Sequence, residues 1–214
     1  MKYVKNERGN SFFYILWLMA IVIIMLVIVL NIAKVFVVKQ QADTAVEQAA
    51  MAGTREVIVK TNEAIKEFDA NLASLVPDFV DGKTIEEQVV EKKNYFINQK
   101  YPEAEAYIKA LNDVLPSKIE TYEPLKQELI SKLGGKSTLV SLAWPSVETI
   151  VGENHGNKTA PTPELNFTND WRLEVKAAVT YESISNNRIM AKFFDKIPQK
   201  GYGPKLEYLE NVFR

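Results

Sequence analysis

The chain has 214 residues, a formal net charge of -1 at pH 7 and no cysteine. The near balance of charges gives no electrostatic drive toward nucleic acid, and the lack of cysteine excludes disulfides, thiolate catalysis and cysteine-ligated zinc. Beyond an N-terminal apolar segment, roughly 175 residues remain, which is enough for one ordinary domain core.

The apolar segment extends from Phe12 to Leu30 and contains no charge, glycine or proline. As a helix it would be roughly 28 Å long, close to the hydrocarbon thickness of a bilayer. A core helix of a soluble protein rarely stays apolar on every face over this length. We therefore predict a transmembrane helix over residues 12–38, after a basic N-terminal head over residues 1–11.

A cleaved secretory signal is the main alternative to an anchor. The apolar core of a signal spans about 7–15 residues and is shorter than this segment. The best small-residue cleavage pattern is Ala50-Met51-Ala52. It lies about twenty residues beyond the apolar segment, out of reach of a peptidase that cuts close to the membrane. We therefore expect an uncleaved, single-pass anchor.

The flanking charges indicate the orientation of this span. Lys2, Lys5 and Arg8 precede the apolar segment from Phe12 to Leu30, whereas Lys34 and Lys39 follow it. Because basic residues are retained on the cytoplasmic side, this modest bias favours a cytoplasmic N-terminus. The C-terminal domain would then be extracytoplasmic, tethered to the cell membrane.

Helix-forming residues continue beyond the span, and no proline occurs before Pro77. We therefore predict that a helical stalk over residues 39–76 continues the transmembrane helix. Small residues recur on it at spacings of three and four. This small-residue stripe consists of Ala42, Ala45, Val46, Ala49, Ala52 and Gly53.

The small-residue stripe has two interpretations. Small residues let helices approach closely, as they do in membrane helix pairs, so the stripe would be an assembly surface for another copy or another component. Alternatively, the stalk packs on its own domain through the stripe, or the alanines only reflect helix propensity. The residues themselves leave both open.

The rest of the chain predicts an α+β fold with several helices and a small antiparallel sheet. Residues 77–135 form its helical part and residues 136–214 its β-containing part. The predicted helices are residues 84–100, Ala104 to Leu115, ended by Pro116, and Pro124 to Leu133, ended by Gly134 and Gly135. After Gly135 we predict two short strands, at Leu139 to Trp144 and Val147 to Val151, and then an exposed loop from Gly152 to Pro163. A further strand is predicted from Trp171 to Tyr181. The tail is predicted to have a helix near Phe193 and Phe194, a Gly-rich turn before Tyr208 and a short final helix.

No residue pattern indicates catalysis. His155 is the only histidine, so a histidine-rich metal site is excluded. Gly135-Lys136-Ser137 matches the end of a phosphate-binding loop, but Ile130 stands where the first glycine should be. We expect a protein that is not an enzyme, with no cofactor and no small-molecule substrate.

The N-terminal order of features resembles a known family. A basic head ending in Arg8-Gly9 precedes the apolar span, and the segments from Lys39 to Ala45 and from Ala49 to Gly53 follow it. This order is similar to that of the TadE/TadG group, the pilin-like proteins of the bacterial tight adherence pilus. The resemblance covers about the first fifty-five residues and none of the C-terminal domain.

The resemblance implies a pseudopilin or assembly component of a type IV-like pilus or secretion apparatus. Its partners would be the lipid bilayer and, through the N-terminal helix, other pilus or secretion components or further copies of the chain. Prepilin peptidase would cut such a protein after Gly9. Processed pilins have a glutamate five residues after the cut, where this chain has Tyr14, and TadG-like members are thought to stay unprocessed. The alternative function is a membrane-tethered binding module for a cell-wall or protein partner.

Overall fold

The computed structural model describes residues 8–72, 82–155, 162–180 and 196–214. In these residues it has six helices and three strands. The helices are α1 (Arg8–Leu72), α2 (Ile85–Asn98), α3 (Glu103–Thr121), α4 (Glu123–Leu133), α5 (Lys136–His155) and α6 (Tyr208–Phe213). The strands are β1 (Glu164–Phe167), β2 (Leu173–Thr180) and β3 (Lys196–Tyr202), which form an antiparallel sheet in that order. The predicted α+β class, with a long N-terminal helix and a small antiparallel sheet, is confirmed.

The chain divides into two compact units, and α1 contributes to both. The first unit contains Met1–Gln41 and Val179–Ile197. The second contains Ala42–Ala178 and Pro198–Arg214, and therefore holds α2 to α6 and most of the sheet. Its core is formed by side chains from α1, from each of the other helices and from the sheet.

Helix α1 is 65 residues long and has no internal proline. The prediction that the apolar segment and the stalk form one continuous helix is confirmed as far as Leu72, and the predicted stop at Pro77 lies outside the described residues. Near its end, Asp69 accepts hydrogen bonds from the backbone N–H groups of Ile85 at 3.1 Å and Glu86 at 2.9 Å. The first N–H groups of a helix have no acceptor within that helix. Asp69 of α1 therefore supplies the acceptors for two such groups at the start of α2.

Helices α2 and α4 agree with the predicted bounds to within two residues. Helix α2 begins with a capping box, in which Thr84 and Glu87 each accept a hydrogen bond from the other's backbone N–H. Helix α4 has Pro124 in its first turn and ends at Gly134, whose φ of 59° favours glycine. Pro124 and Gly134 therefore act as predicted, whereas the capping box is a further local signal that the prediction of α2 did not use.

The prediction that the third helix ends at Pro116 is wrong, because α3 continues to Thr121. A proline inside a helix costs about 3 kcal/mol. Leu111, Leu115 and Ile119 lie on one face and are buried in the core. Each large apolar side chain contributes roughly 1.5–3 kcal/mol when it is fully buried, so the packing of this face outweighs the proline.

The two strands predicted on either side of Pro145 are also wrong. Residues Leu139 to Trp144 and Val147 to Val151 belong to α5. The β-branched residues favoured strands, but the buried positions recur every fourth residue, which is the spacing of a helix. These positions are Leu139, Ala143, Val147 and Val151. The exposed loop predicted from Gly152 to Pro163 is wrong at its start, because Gly152 to His155 belong to α5. Residues 156–161 lie outside the described part of the chain.

The strand predicted from Trp171 to Tyr181 is confirmed as β2 from Leu173 to Thr180, and Tyr181 lies outside the described residues. It pairs with β1 in a register that places Phe167 opposite Leu173, and both side chains are buried. Trp171 has a positive φ of 56° in the turn that joins the two strands. Its ring stacks on Phe213 with centroids 5.1 Å apart, so the hairpin turn packs against α6.

The C-terminal segment is partly different from the prediction. The short final helix is confirmed as α6. In the segment before α6, Gly201 belongs to β3 and Gly203 follows the strand. The helix expected near Phe193 and Phe194 lies outside the described residues.

Candidate functional site: the N-terminal helix

The apolar segment of α1 is exposed in the structure. From Phe12 to Leu30 only Ile21 and Val27 are half-buried, and the rest are exposed. An 18-residue window has a mean hydropathy of 3.1 and is 0% buried. Since about 20 apolar residues span the hydrocarbon core, this helix is long and apolar enough to cross a membrane. It is the one candidate span within the described ranges.

The small-residue stripe, by contrast, is covered by the chain itself. Five of its six members are buried, and Ala52 is half-buried. A side chain added at Gly53 would meet Leu173 at 2.6 Å and Val147 at 2.8 Å, so β2 and α5 both pack against this position. In the structure the stalk packs on its own domain through the stripe, which is the second of the two interpretations that the sequence left open. The stripe is therefore not a free surface for assembly in this fold.

Two glycines allow the C-terminal segment to lie directly on α1. A Cβ at Gly201 would overlap the backbone carbonyl of Val46, and one at Gly203 would overlap the hydroxyl of Thr54. The backbone N–H of Gly203 also donates to the carbonyl of Leu173 at 2.8 Å, which fixes this segment against β2. Close backbone approach therefore explains these two glycines better than a turn does.

A buried polar contact joins α1 to α6. The Thr61 hydroxyl donates to the Val57 carbonyl at 2.9 Å, and the Tyr208 hydroxyl lies 2.8 Å from the Thr61 oxygen. Since the single hydroxyl hydrogen of Thr61 is used in the first bond, Tyr208 is the donor in the second. Both side chains are 0% exposed, and burial raises the pKa of Tyr208 far above its ordinary value. Tyr208 is thus a permanently neutral donor.

The opposite face of α1 in the second unit is exposed. It carries Glu47, Met51, Arg55 and Val59 at intervals of four residues, and we call these four residues the outer face. Met51 is 60% and Val59 is 40% exposed. Within the described residues neither charge of the outer face forms an ion pair. This face was not singled out from the sequence, because its alternating apolar and charged residues lack the clear periodicity of the stripe.

Metal ligands and cavities are the remaining candidates for a chemical site in the described residues. No group of three or more His, Cys, Asp or Glu side chains among them could hold a metal ion. His155 is the last residue of α5, and its side chain lies outside the described part. A cavity of about 80 Å³ lies between α1, α2 and α3, where the Tyr107 hydroxyl donates to Asn62. This cavity is far smaller than the roughly 300–1,000 Å³ of an ordinary ligand pocket. Two open depressions lined by α2 have larger volumes, of about 540 and 560 Å³.

Comparison of the chain with protein families, with curated proteins and with solved structures found no match. Function must therefore be argued from α1, from the fold built on it and from the N-terminal residues.

Proposed function

We propose that this protein is a non-enzymatic, membrane-anchored pilin-like component of a bacterial tight adherence pilus or a related type IV-like secretion apparatus. The continuity of α1 carries the proposal. The exposed apolar segment from Phe12 to Leu30 continues without a break into the part of α1 that forms the core of the second unit. One helix thus serves as both the anchor and the scaffold of the domain. The resemblance of the N-terminal residues to the TadE/TadG group supports the same conclusion.

The anchor holds the N-terminus in the cytoplasm and the second unit outside the membrane, as the basic residues before the span favour. The chain lacks cysteine, so single cysteines report the orientation without background. In intact cells, a membrane-impermeant maleimide should label Ser141→Cys on the exposed face of α5. It should label Asn6→Cys in the head only after the cells are lysed. The reverse pattern would contradict the orientation.

The pilus role predicts a loss of function when the chain is absent. Deletion of its gene should reduce surface pili and adherence, and the full chain should restore both. A chain whose apolar segment is removed should fail to restore them, because the domain is no longer held at the membrane. Normal numbers of pili in the deletion strain would overturn the proposal.

The state of the N-terminus is a separate part of the proposal. Cleavage by prepilin peptidase after Gly9 would make Asn10 the first residue of the mature chain. Because Tyr14 replaces the glutamate of processed pilins, we expect the chain to stay uncut, as in TadG-like members. Intact-mass spectrometry of the membrane-extracted protein distinguishes the two forms.

A second candidate function is a membrane-tethered binding module for a cell-wall or protein partner. The burial of the small-residue stripe favours it, since the domain covers its own helix rather than leaving it for assembly. A soluble fragment of residues 42–214 should then bind isolated cell walls as well as the full chain does. Binding by the full chain alone would argue against this candidate.

A further inference from the structure

We propose that the open depression between α2 and α3 binds a short peptide that carries both ammonium and carboxylate groups, as the stem peptides of the bacterial cell wall do. The proposal deepens the second candidate function and rests on it for the source of the peptide. The depression has a volume of about 560 Å³. This volume lies within the roughly 300–1,000 Å³ of ordinary ligand sites. It suits a few amino-acid residues rather than a folded protein, which needs about 800 Å² of surface on each side.

Two ion pairs line this depression. The Nζ of Lys83 lies 2.6 Å from a carboxylate oxygen of Glu91, and the Nζ of Lys92 lies 2.6 Å from a carboxylate oxygen of Asp113 on α3. Each of the four side chains is at least 40% exposed, so a ligand can reach all of them. Exposed ion pairs contribute little to stability, and these charges can therefore turn to a ligand at small cost.

The two ion pairs favour a ligand that carries both signs of charge. A purely anionic ligand would meet a carboxylate beside each ammonium group, and a purely cationic ligand would meet an ammonium group beside each carboxylate. Repulsion from one member of each pair would then offset attraction by the other. A peptide with both groups can contact one member of each pair. Gln88, which donates to the Lys83 carbonyl at 3.1 Å and also lines the depression, offers its own carbonyl oxygen to a peptide N–H.

The ring of Tyr95 supplies an apolar surface beside these charges. It is 53% exposed, and the Nζ of Lys92 lies 5.3 Å from its centroid. Tyr95 packs edge-on against Phe96 with centroids 5.5 Å apart, and Phe96 packs in the same way against Tyr101 at 6.0 Å. Because the neighbouring rings restrict Tyr95, it loses little conformational freedom when a ligand packs on it.

The end of α2 fixes this row of rings. The backbone N–H of Tyr101 donates to the Phe96 carbonyl at 3.3 Å, and that of Lys100 donates to the Ile97 carbonyl at 2.8 Å. These two bonds form a Schellman motif, in which Lys100 has a φ of 70°. The contact between the Phe96 and Tyr101 rings is the apolar contact that often accompanies this motif. Local structure therefore holds the binding surface in place before a ligand arrives.

Isothermal titration calorimetry of the full chain in lipid nanodiscs tests the site. The probe is the synthetic tripeptide Ala-γ-Glu-Lys with free amino and carboxyl groups. We expect a dissociation constant between roughly 10 μM and 1 mM, since the binding free energy per atom limits a ligand of this size. Acetylation of the amino groups, or amidation of the carboxyl groups, should weaken binding by about two- to fivefold for each charge that is blocked. Absence of detectable binding, or equal binding of the blocked peptides, would overturn the proposal.

A matched pair of tyrosine variants locates the binding. Tyr95→Ala should weaken binding of the tripeptide by about three- to tenfold, because it removes the aromatic surface. Tyr202→Ala is the control, since Tyr202 is 46% exposed and belongs to β3. It should leave the affinity unchanged. Equal losses of affinity in the two variants would overturn the assignment to this depression.

A second pair of variants tests the charges and leaves the rings intact. Lys92→Gln should weaken binding by about two- to fivefold. Lys205→Gln is its control, because Lys205 is likewise exposed and paired, in its case with Glu207 at 3.2 Å. An unchanged affinity of Lys92→Gln, or an equal loss in Lys205→Gln, would overturn the role of the ion pairs.

Co-sedimentation of the full chain with isolated cell-wall sacculi separates the failure of this inference from the failure of the candidate function. If the natural chain sediments and Tyr95→Ala sediments less, the peptide of the wall is the ligand. If both sediment equally, wall binding stands and the depression is overturned as its site. If the tripeptide binds in solution but the chain does not sediment with sacculi, the cell-wall source is overturned and the depression stands as a peptide site.

Discussion

The two halves of α1 are both rich in apolar residues, but their surroundings differ. From Phe12 to Leu30 every side chain except Ala20 is large, and all except Ile21 and Val27 are exposed. From Ala42 to Phe68 the inward side chains are mostly small or medium in size, and they are buried by the chain's own helices and strands. The outward side chains of this second half are mainly polar.

The difference shows that the arrangement of apolar residues, rather than their number, decides what covers a helix. A helix that is apolar all round has no face that water can wet, so it needs lipid or a large protein interior. A helix with one narrow stripe of small residues can be covered on that side alone. In this chain the cover includes β3, whose Gly201 approaches the backbone of Val46.

The largest effect is expected when the chain is cut within α1, so that the second half is separated from the first. A fragment of residues 42–214 should fold, because it retains the whole second unit. A fragment of residues 56–214 loses Val46, Ala49 and Ala50 from the core. We expect it to lose about 5 kcal/mol or more, which is comparable with the entire stability of a small domain. Thermal unfolding followed by circular dichroism compares the two, and equal melting temperatures would contradict the central role of the stripe.

A charge in the first half should act on insertion and not on the domain. Ile24 is 60% exposed and lies near the middle of the apolar segment. Ile24→Arg should make insertion less favourable by roughly 3–4 kcal/mol, so a larger fraction of the chain should be released by carbonate extraction. Met25→Leu, a substitution between apolar residues at the next position, should leave the membrane fraction unchanged. Equal release of both variants would mean that this segment is not a span.

A methyl group placed against the second half of α1 should act on the domain and not on insertion. The Cβ of Gly201→Ala would overlap the Val46 carbonyl, which belongs to backbone and cannot swing aside. We expect a loss of roughly 2–3 kcal/mol, measured by urea unfolding of residues 42–214. Gly152→Ala is the matched control, because its Cβ would have no neighbour within 4 Å, and it should be neutral or stabilising by up to about 1 kcal/mol.

A smaller effect should follow from removing one buried hydroxyl. Tyr208→Phe deletes the donor to Thr61 and leaves that buried oxygen with one partner fewer. We expect the free energy of unfolding to fall by roughly 1–2 kcal/mol. Tyr202→Phe removes a hydroxyl that bonds the Glu174 carboxylate at 2.9 Å on the exposed side of the sheet. That control should change stability by no more than about 0.5 kcal/mol.

The parts of the fold that local chemistry decides could be predicted from the sequence. The apolar segment needs no tertiary contact to be recognised as a candidate span. Thr84 and Glu87 cap α2, and Pro124 and Gly134 bound α4, through interactions within a few residues. These signals act over short distances, so the sequence carries them in full.

The parts that distant contacts decide could not be predicted. The β-branched residues around Val147 favoured a strand, whereas in the structure Val147 and Ala143 belong to a helix that packs against Gly53 of α1. The small-residue stripe suits a neighbouring helix and the chain's own strand equally well. The close approach of Gly201 to α1 was not predicted, because a glycine alone does not reveal which backbone approaches it. In each case the missing information was the identity of the partner, which lies far away in the sequence.

The smallest expected effect concerns the pH dependence of the second half. Burial raises the pKa of Asp69, and the charges of Glu86 and Glu87 add to this, although two backbone donors oppose it. The folded state therefore holds this proton more tightly than the unfolded state does. The resulting contribution to stability is complete below the unfolded pKa of about 3.9 and is lost as the pH rises through the folded value. Relative to Asp69→Asn, the natural fragment should gain stability as the pH falls.

Glu174 should show the opposite trend. Burial raises its pKa, but hydrogen bonds from Tyr202 and Lys176 and the nearby lysine charges outweigh burial, so the net pKa is lowered. Its contribution is present above the unfolded pKa and is lost as the pH falls through the folded value. Urea unfolding of residues 42–214 at about pH 7 and about pH 4 should therefore give Asp69→Asn and Glu174→Gln pH effects of opposite sign. Effects of the same sign would mean that the end of α1 is not buried against α2 as tightly as its hydrogen bonds to Ile85 and Glu86 indicate.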